Sequence, residues 1–146
     1  MKKILVVLFI LTTLHFQTGC ILVPFIESFK SAGVLESDRK QLLEEQIEYF
    51  NRARSWGKPT QTLAFVTKES RPQMRTLLSD KKNKERIVET TIDDLLFQDE
   101  ARNAEVFARI KYFAIPYYVV EERVEKQQWI FSTVAGWKLA KLETDS

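Results

Sequence analysis

Cysteine and histidine are almost missing from this chain: 146 residues contain one of each, Cys20 and His15. Both fall at its start, so whatever folds after Cys20 has no imidazole and no second thiol. That excludes Ser-His-Asp and Cys-His catalysis and leaves no ligand set for zinc or iron; no cofactor is expected. No Lys/Arg cluster resembles a nucleic-acid footprint, so nucleic acid is excluded as a partner. There is no internal repeat and no low-complexity segment.

What the first residues do have is a pattern of export. Met1-Lys2-Lys3 is followed by the apolar run Ile4–Leu14. A basic start and an apolar core of roughly 7–15 residues describe a bacterial signal. That run is shorter than the roughly 20 residues a bilayer-spanning helix needs. Thr18-Gly19-Cys20 resembles the lipobox of bacterial lipoproteins, although Gln17 stands where that family has an aliphatic residue. The resemblance implies that residues 1–19 are a signal peptide. It also implies that Cys20 carries lipid, palmitate-type acyl chains included, as the first residue of the mature protein. Such modification accounts for a lone thiol in an exported chain. Several acyl chains, each methylene worth about 0.8 kcal/mol when buried, anchor a protein to the membrane stably. Two alternatives stay open: an uncleaved anchor over Ile4–Ile26, and secretion with a free thiol. Ile21, rather than aspartate, follows Cys20, which in enteric bacteria points to the outer membrane of the cell envelope.

Losing residues 1–19 leaves 127 of the 146 residues, enough for one domain with a core. It also removes Lys2 and Lys3, reducing the 22 basic residues to 20 against 20 acidic ones. The mature chain is neutral, and the precursor's basic pI belongs to the signal. Residues 20–37 read as an apolar tether interrupted by Pro24 and Gly33. Residues 38–146 read as a single domain.

Within that domain, Leu43, Ile47, Phe50 and Ala53 recur at helical spacing, predicting a helix from Asp38 to Trp56 stopped by Gly57. Asp38 and Gln41 form a plausible capping box, as do Ser70 and Gln73. Shorter helices are expected over Thr60–Thr67 and Ser70–Asp80, followed by a solvated turn at Lys81–Lys84. From Arg86 the period changes to two. Strands are expected through Val88–Ile92, through Val106–Phe113, and from Tyr117 to Phe131 with a bulge near Glu121–Lys126. A last strand carries Trp137 and Leu139. Helices followed by an antiparallel meander give an α+β fold.

The stretches YFNRARSW, AFVTKESRPQMRTLL and QQWIFSTVAGWKL resemble the cone-shaped fold of nuclear transport factor 2 and ketosteroid isomerase, also described as a cystatin-like roll. The resemblance implies a curved sheet wrapped around the first helix, with a pocket between them. It does not fix an activity, because that scaffold hosts enzymes and plain binding domains alike. Enzymatic members use a carboxylate base or an Asp–His pair, with tyrosines as donors, and no position here matches such a motif.

Several residues remain to be weighed. Asp93 and Asp94 could supply a base, but adjacent strand residues face opposite ways and are expected to be hydrated. Arg109 and Lys111 share a strand face and are expected to pair with acids across the sheet. Tyr112, Trp129, Phe131 and Trp137 are the ligand- or partner-binding candidates, with Trp56 as a further ring from the helix. Rings exposed on the open sheet face would suit a protein partner or a homodimer. The reading is therefore a lipid-anchored, non-catalytic binding domain for a partner protein or a small apolar ligand. The alternatives are an isomerase- or dehydratase-like enzyme using a buried carboxylate and a tyrosine, and an oligomeric structural envelope subunit.

Overall fold

The computed structural model describes residues 30–144. The expectations for the signal peptide, for Cys20 and for the first part of the tether lie outside the described residues. Three helices come first: α1 (Glu36–Ser55), α2 (Pro59–Ala64) and α3 (Arg71–Lys84). Four strands follow: β1 (Glu85–Gln98), β2 (Asn103–Ala114), β3 (Val120–Ser132) and β4 (Gly136–Thr144). They pair in chain order as one antiparallel meander. The architecture is the expected α+β class, with the helices packed on one face of a curved sheet.

α1 buries Leu43, Ile47, Phe50, Asn51 and Arg54, a stripe at three- and four-residue spacing. Its end is set by Gly57, whose φ of 63° is the left-handed conformation that costs glycine nothing. Gly57 N donates to Arg54 O at 2.9 Å and Lys58 N to Ala53 O at 3.1 Å, the paired bonds of a Schellman turn. Pro59 then opens α2, where its missing N–H is no loss. The chain after α2 is latched to the far edge strand: Thr67 N donates to Leu139 O, and Leu139 N to Phe65 O.

The sheet's inner face alternates by the period of two. Ala104, Val106, Ala108 and Ile110 of β2 are buried there, as are Glu125, Gln127 and Trp129 of β3. Phe50 meets Trp129 edge-on, with ring centroids 5.5 Å apart. Trp129 Nε1 donates to Gln127 Oε1, and Trp137 Nε1 to Arg39 O, so both buried indoles are satisfied. Arg39 also donates to the carbonyls of Gly33, Val34, Glu100 and Ala101, tying the entry of α1 to the β1–β2 turn.

Four local expectations need correction. α1 begins at Glu36 with Leu35 as its N-cap and no side-chain cap, so Asp38 forms no capping box. Instead, Glu36 and Asp38 place negative charge in the first turn, where the helix dipole favours it. Ser70 Oγ donates to Ala140 O rather than capping α3. Lys81–Lys84 are not a turn: α3 runs through them directly into β1, since lysine is a good helix former and no Gly or Pro stops it. β3 starts at Val120 rather than Tyr117 and pairs with β2 without a shift through Glu121–Lys126. The irregularities lie in β1, at Ile87/Glu89 and Ile92/Asp94, and at Gln128/Trp129 opposite β4. The regular register holds because Arg123 and Glu125 point inward and find each other.

Candidate functional site

The inner face is apolar towards the β1–β2 turn and becomes charged near the start of β1. Arg54 sits on the apolar stripe of α1, seven residues after Ile47 and four after Phe50, so the helix drives its guanidinium into the interior. There Nη1 and Nη2 donate to the two carboxylate oxygens of Glu125 at 2.8 and 3.0 Å. The Arg54 and Glu125 side chains are 2% and 0% exposed. Arg123, two residues before Glu125 and on the same face, donates from Nε to Glu125 Oε1 at 2.9 Å. Its Nη1 and Nη2 each donate to Glu85 at 2.8 Å. Burial pulls the Arg123 guanidinium down. The bond from Glu85 and the charge of Glu125 outweigh that and hold it above the ordinary arginine value. Two guanidiniums and two carboxylates thus form a neutral, internally bonded chain. Both Glu125 oxygens are already engaged, so this carboxylate is poorly placed to take a proton from a substrate.

Arg123 also lies over the Tyr112 ring, 4.4 Å from its centroid. Tyr112 Oη donates to Glu121 Oε2 at 2.9 Å. Burial raises the Tyr112 pKa, with the Glu121 bond adding to the shift and Arg123 opposing it. This tyrosine–carboxylate pair lies at the sheet's rim, with Glu121 exposed, and borders none of the cavities described below.

Cavities flank the C-terminal half of α1: one of about 430 Å³ lies beside Tyr49, Trp56 and Phe65, and two others meet β1. The larger, about 510 Å³, is a groove between α1 and β1. Ile47, Val88, Ile92 and Leu95 supply its apolar walls, Asn51, Ser55 and Thr90 its polar ones, and Glu44, Glu48, Arg52 and Glu89 its charged ones. Among the described residues, Asn51 Oδ1 and Thr90 Oγ1 have no hydrogen-bond partner. The smaller cavity, about 190 Å³, lies at the Schellman turn and includes Arg54, Trp56, Lys58, Leu78, Glu85 and Arg86. Ser55 borders both.

The candidates named from sequence are dispersed. Trp129 and Trp137 are 1% and 2% exposed and belong to the core, not to an outer patch. Phe131 is half-buried and packs on Trp137 and over Gly33. Tyr112 lies at the other end of the sheet. Trp56, by contrast, is 71% exposed beside the smaller cavity. The outer face is laced with ion pairs rather than rings: Arg109 with Asp93 and Glu122, Lys111 with Glu89, and Lys126 with Glu105. Asp94 accepts a bond from Leu95 N. Both aspartates are exposed, at the register shift of β1 between Ile92 and Asp94. Among the described residues, no group of three or more His, Cys, Asp or Glu could hold a metal ion. No described helix is long and apolar enough to cross a membrane.

Sequence reasoning missed Arg54, Glu85 and the partnership of Arg123 with Glu125. A signal for Arg54 was present: an arginine on the apolar stripe of a core helix demands a buried counter-charge.

No family model matches the chain, and no curated protein sequence matches it. Solved structures do. A ketosteroid isomerase-like protein from Erwinia carotovora atroseptica SCRI1043 superposes with a TM-score of 0.58 at 12% identity, over 73% of this chain and 95% of that one. The intermembrane space region of the chloroplast protein ARC6 gives 0.53 at 11% identity, over 71% and 94%. A cystatin-like protein of unknown function from Nostoc punctiforme PCC 73102 gives 0.50 at 14% identity, over 73% and 90%. At these identities the likeness is one of fold: the chain has the α+β cone of nuclear transport factor 2-like and cystatin-like proteins.

Proposed function

We propose that this is a lipid-anchored envelope protein whose domain binds a small, mainly apolar ligand in the groove between α1 and β1 and catalyses no reaction. The observation that carries the reading is the groove itself. Its volume of about 510 Å³ lies within the roughly 300–1,000 Å³ typical of ligand sites. Four aliphatic side chains, Ile47, Val88, Ile92 and Leu95, line it beside charged ones, and its two unpartnered oxygens can fix the orientation of a ligand hydroxyl or amide. The carboxylates that line it are Glu44, Glu48 and Glu89, of which Glu48 pairs with Arg52 and Glu89 with Lys111. The Tyr112–Glu121 pair is what an isomerase-like reading asks for, and it stands apart from the groove. A partner protein is favoured by a different feature, the β2–β3 connection, where Tyr117 and Tyr118 are 79% and 71% exposed and Val119 and Val120 follow them.

The anchor is tested by the intact mass of the membrane-extracted chain beside Cys20→Ala. Loss of residues 1–19 with added acyl mass supports it, and an unmodified thiol refutes it. The groove is tested with 2-naphthol, a neutral bicyclic alcohol, dialysed against the full chain and against matched detergent micelles. Saturable binding that disappears in Thr90→Trp is expected. Absence of saturable binding, or binding indifferent to Thr90→Trp, refutes the groove as a ligand site.

A further inference from the structure

We propose that the cleft between the end of α1 and α2 is a binding site for a β-1,4-linked glycan, a flat sugar chain that stacks on Tyr49 and Trp56. The first reason is where the two rings stand. They are seven residues apart, which is two helical turns, so both lie on one face of α1, about 10 Å apart along its axis. Trp56 is the C-cap, fixed by its N–H bond to Arg52 O at 3.1 Å. Gly57 then turns the chain into α2, which brings Gln61 and Ala64 to the other side of the cleft. Between the rings α1 carries Ala53, whose single methyl leaves the space open. The cleft measures about 430 Å³, within the roughly 300–1,000 Å³ of ligand sites.

The second reason is exposure. Trp56 is 71% exposed and Tyr49 49%, whereas Trp129 and Trp137 are buried. A single exposed ring is ordinary, but these two share one cleft. Arg52 lies over the Tyr49 ring at 5.7 Å and Lys58 over the Trp56 ring at 5.2 Å. Each cation covers one face of its ring and leaves the other, and a cationic ligand finds its place already taken. The third reason is the polar edge. Among the described residues, Tyr49 Oη, Trp56 Nε1 and the Gln61 amide make no hydrogen bond. Open ring faces edged by neutral donors and acceptors suit a ligand that is apolar on its faces and polar around its rim. A sugar ring is built that way: its axial C–H groups pack on an aromatic face while its hydroxyls reach sideways. A wholly apolar ligand would leave the edge groups unused and much of its own surface in water. Rings set along a straight helix also require a straight chain. Equatorial β-1,4 links keep successive sugars flat and extended, whereas α-1,4 links curl them away from the second ring.

The test titrates the full chain, in a detergent without a sugar headgroup, with cellotriose, with its acetamido counterpart triacetylchitotriose, and with the α-linked maltotriose. Binding is read from the NMR signals of the indole N–H groups and the Gln61 side-chain amide, up to about 10 mM sugar, which captures millimolar affinity. Cellotriose, triacetylchitotriose or both are expected to shift Trp56 and Gln61 saturably and to leave the buried Trp129 and Trp137 in place. Which of the two binds tells a plain glucan from an acetamido glycan. Maltotriose should bind more weakly than either binder. Tyr49→Ala and Trp56→Ala, changes at exposed positions, should each weaken the Gln61 response at least about fivefold, with unmoved Trp129 and Trp137 signals showing an intact core. The proposal is overturned if neither β-linked sugar gives a saturable shift, if maltotriose matches them, or if either ring variant binds as tightly as the parent. Thr90→Trp, which fills the α1–β1 groove, should leave the response unchanged. Its loss in that variant would place the sugar in the groove and overturn the cleft as its site.

Discussion

Replacing Glu125 with leucine should cost more than almost any other single change in the inner polar chain. Its carboxylate accepts three guanidinium bonds, at 2.8, 3.0 and 2.9 Å, in a place that is 0% exposed. Without it, Arg54 and Arg123 share the interior with Glu85 alone, and Arg54 loses its only bonded carboxylate. Breaking one side of a buried pair costs about 3–5 kcal/mol, a large part of a total stability of about 5–15 kcal/mol. Arg54→Met should be milder, because Glu125 keeps the Arg123 Nε bond. In the double variant Arg54→Met/Glu125→Leu, the bidentate Arg123–Glu85 pair remains and the charges balance again. The double variant should therefore fall short of the sum of the singles by about 2 kcal/mol or more. The assay is urea unfolding of the full chain in mild detergent, followed by the emission of the buried Trp129 and Trp137. With a urea slope of about 1–3 kcal/mol per molar, the Glu125→Leu midpoint should drop by about 2 M. A Glu125→Leu cost below about 1 kcal/mol, or strict additivity in the cycle, would show that the chain of charges is not coupled as described.

Gly33 and Gly57 share a φ of 63° but not their surroundings. A Cβ at Gly33 would sit 2.6 Å from Phe131 Cζ, whereas one at Gly57 meets nothing within 4 Å. Gly57→Ala should lose about 1 kcal/mol from the left-handed backbone alone, and Gly33→Ala visibly more in the same thermal melt; equal losses would contradict the close approach. Tyr112 should be the last tyrosine to ionise in an absorbance titration at 295 nm, because burial and Glu121 raise it above its ordinary value of 10.0. A raised folded-state pKa means that the folded protein holds the proton longer. That stability is present below about pH 10 and is lost as pH rises through the folded pKa. Tyr112→Phe should remove the latest step and flatten that decline; an unchanged titration curve would refute the assignment.

The order and type of every element were legible because their causes are local. The apolar spacing of Leu43, Ile47 and Phe50, the stop at Gly57 and the switch to a period of two after α3 are each written within a few residues. What was not legible depends on contacts between distant segments. The inward turn of Glu125 towards Arg54 brings together residues 71 apart in sequence, and nothing near Glu121–Lys126 distinguishes a hydrated charge run from a buried one. The same charge run suggested a bulge, whereas the inward Arg123 and Glu125 keep the strand regular. Trp129 and Trp137 posed the complementary problem. Alternation shows that they share a face with their second neighbours, but which face the helices cover is decided by the whole sheet. The cavities were out of reach for a further reason: they are the space left over between the helices and β1, and only packing defines it.

The placement of the groove and the smaller cavity bears on what an anchor would do. The chain enters the domain at Gly33, beside Phe131 and the β1–β2 turn, where Arg39 fixes it. The Arg54 cavity lies at the opposite end of α1, a helix of 20 residues and therefore about 30 Å long. The groove runs between these points, alongside Ile47 and Asn51. A lipid at Cys20, 13 residues before Gly33 in the chain, would be tethered to the end of α1 opposite the smaller cavity. Residues 20–146 carry 20 basic and 20 acidic side chains, so no net positive charge draws that part of the chain onto anionic headgroups.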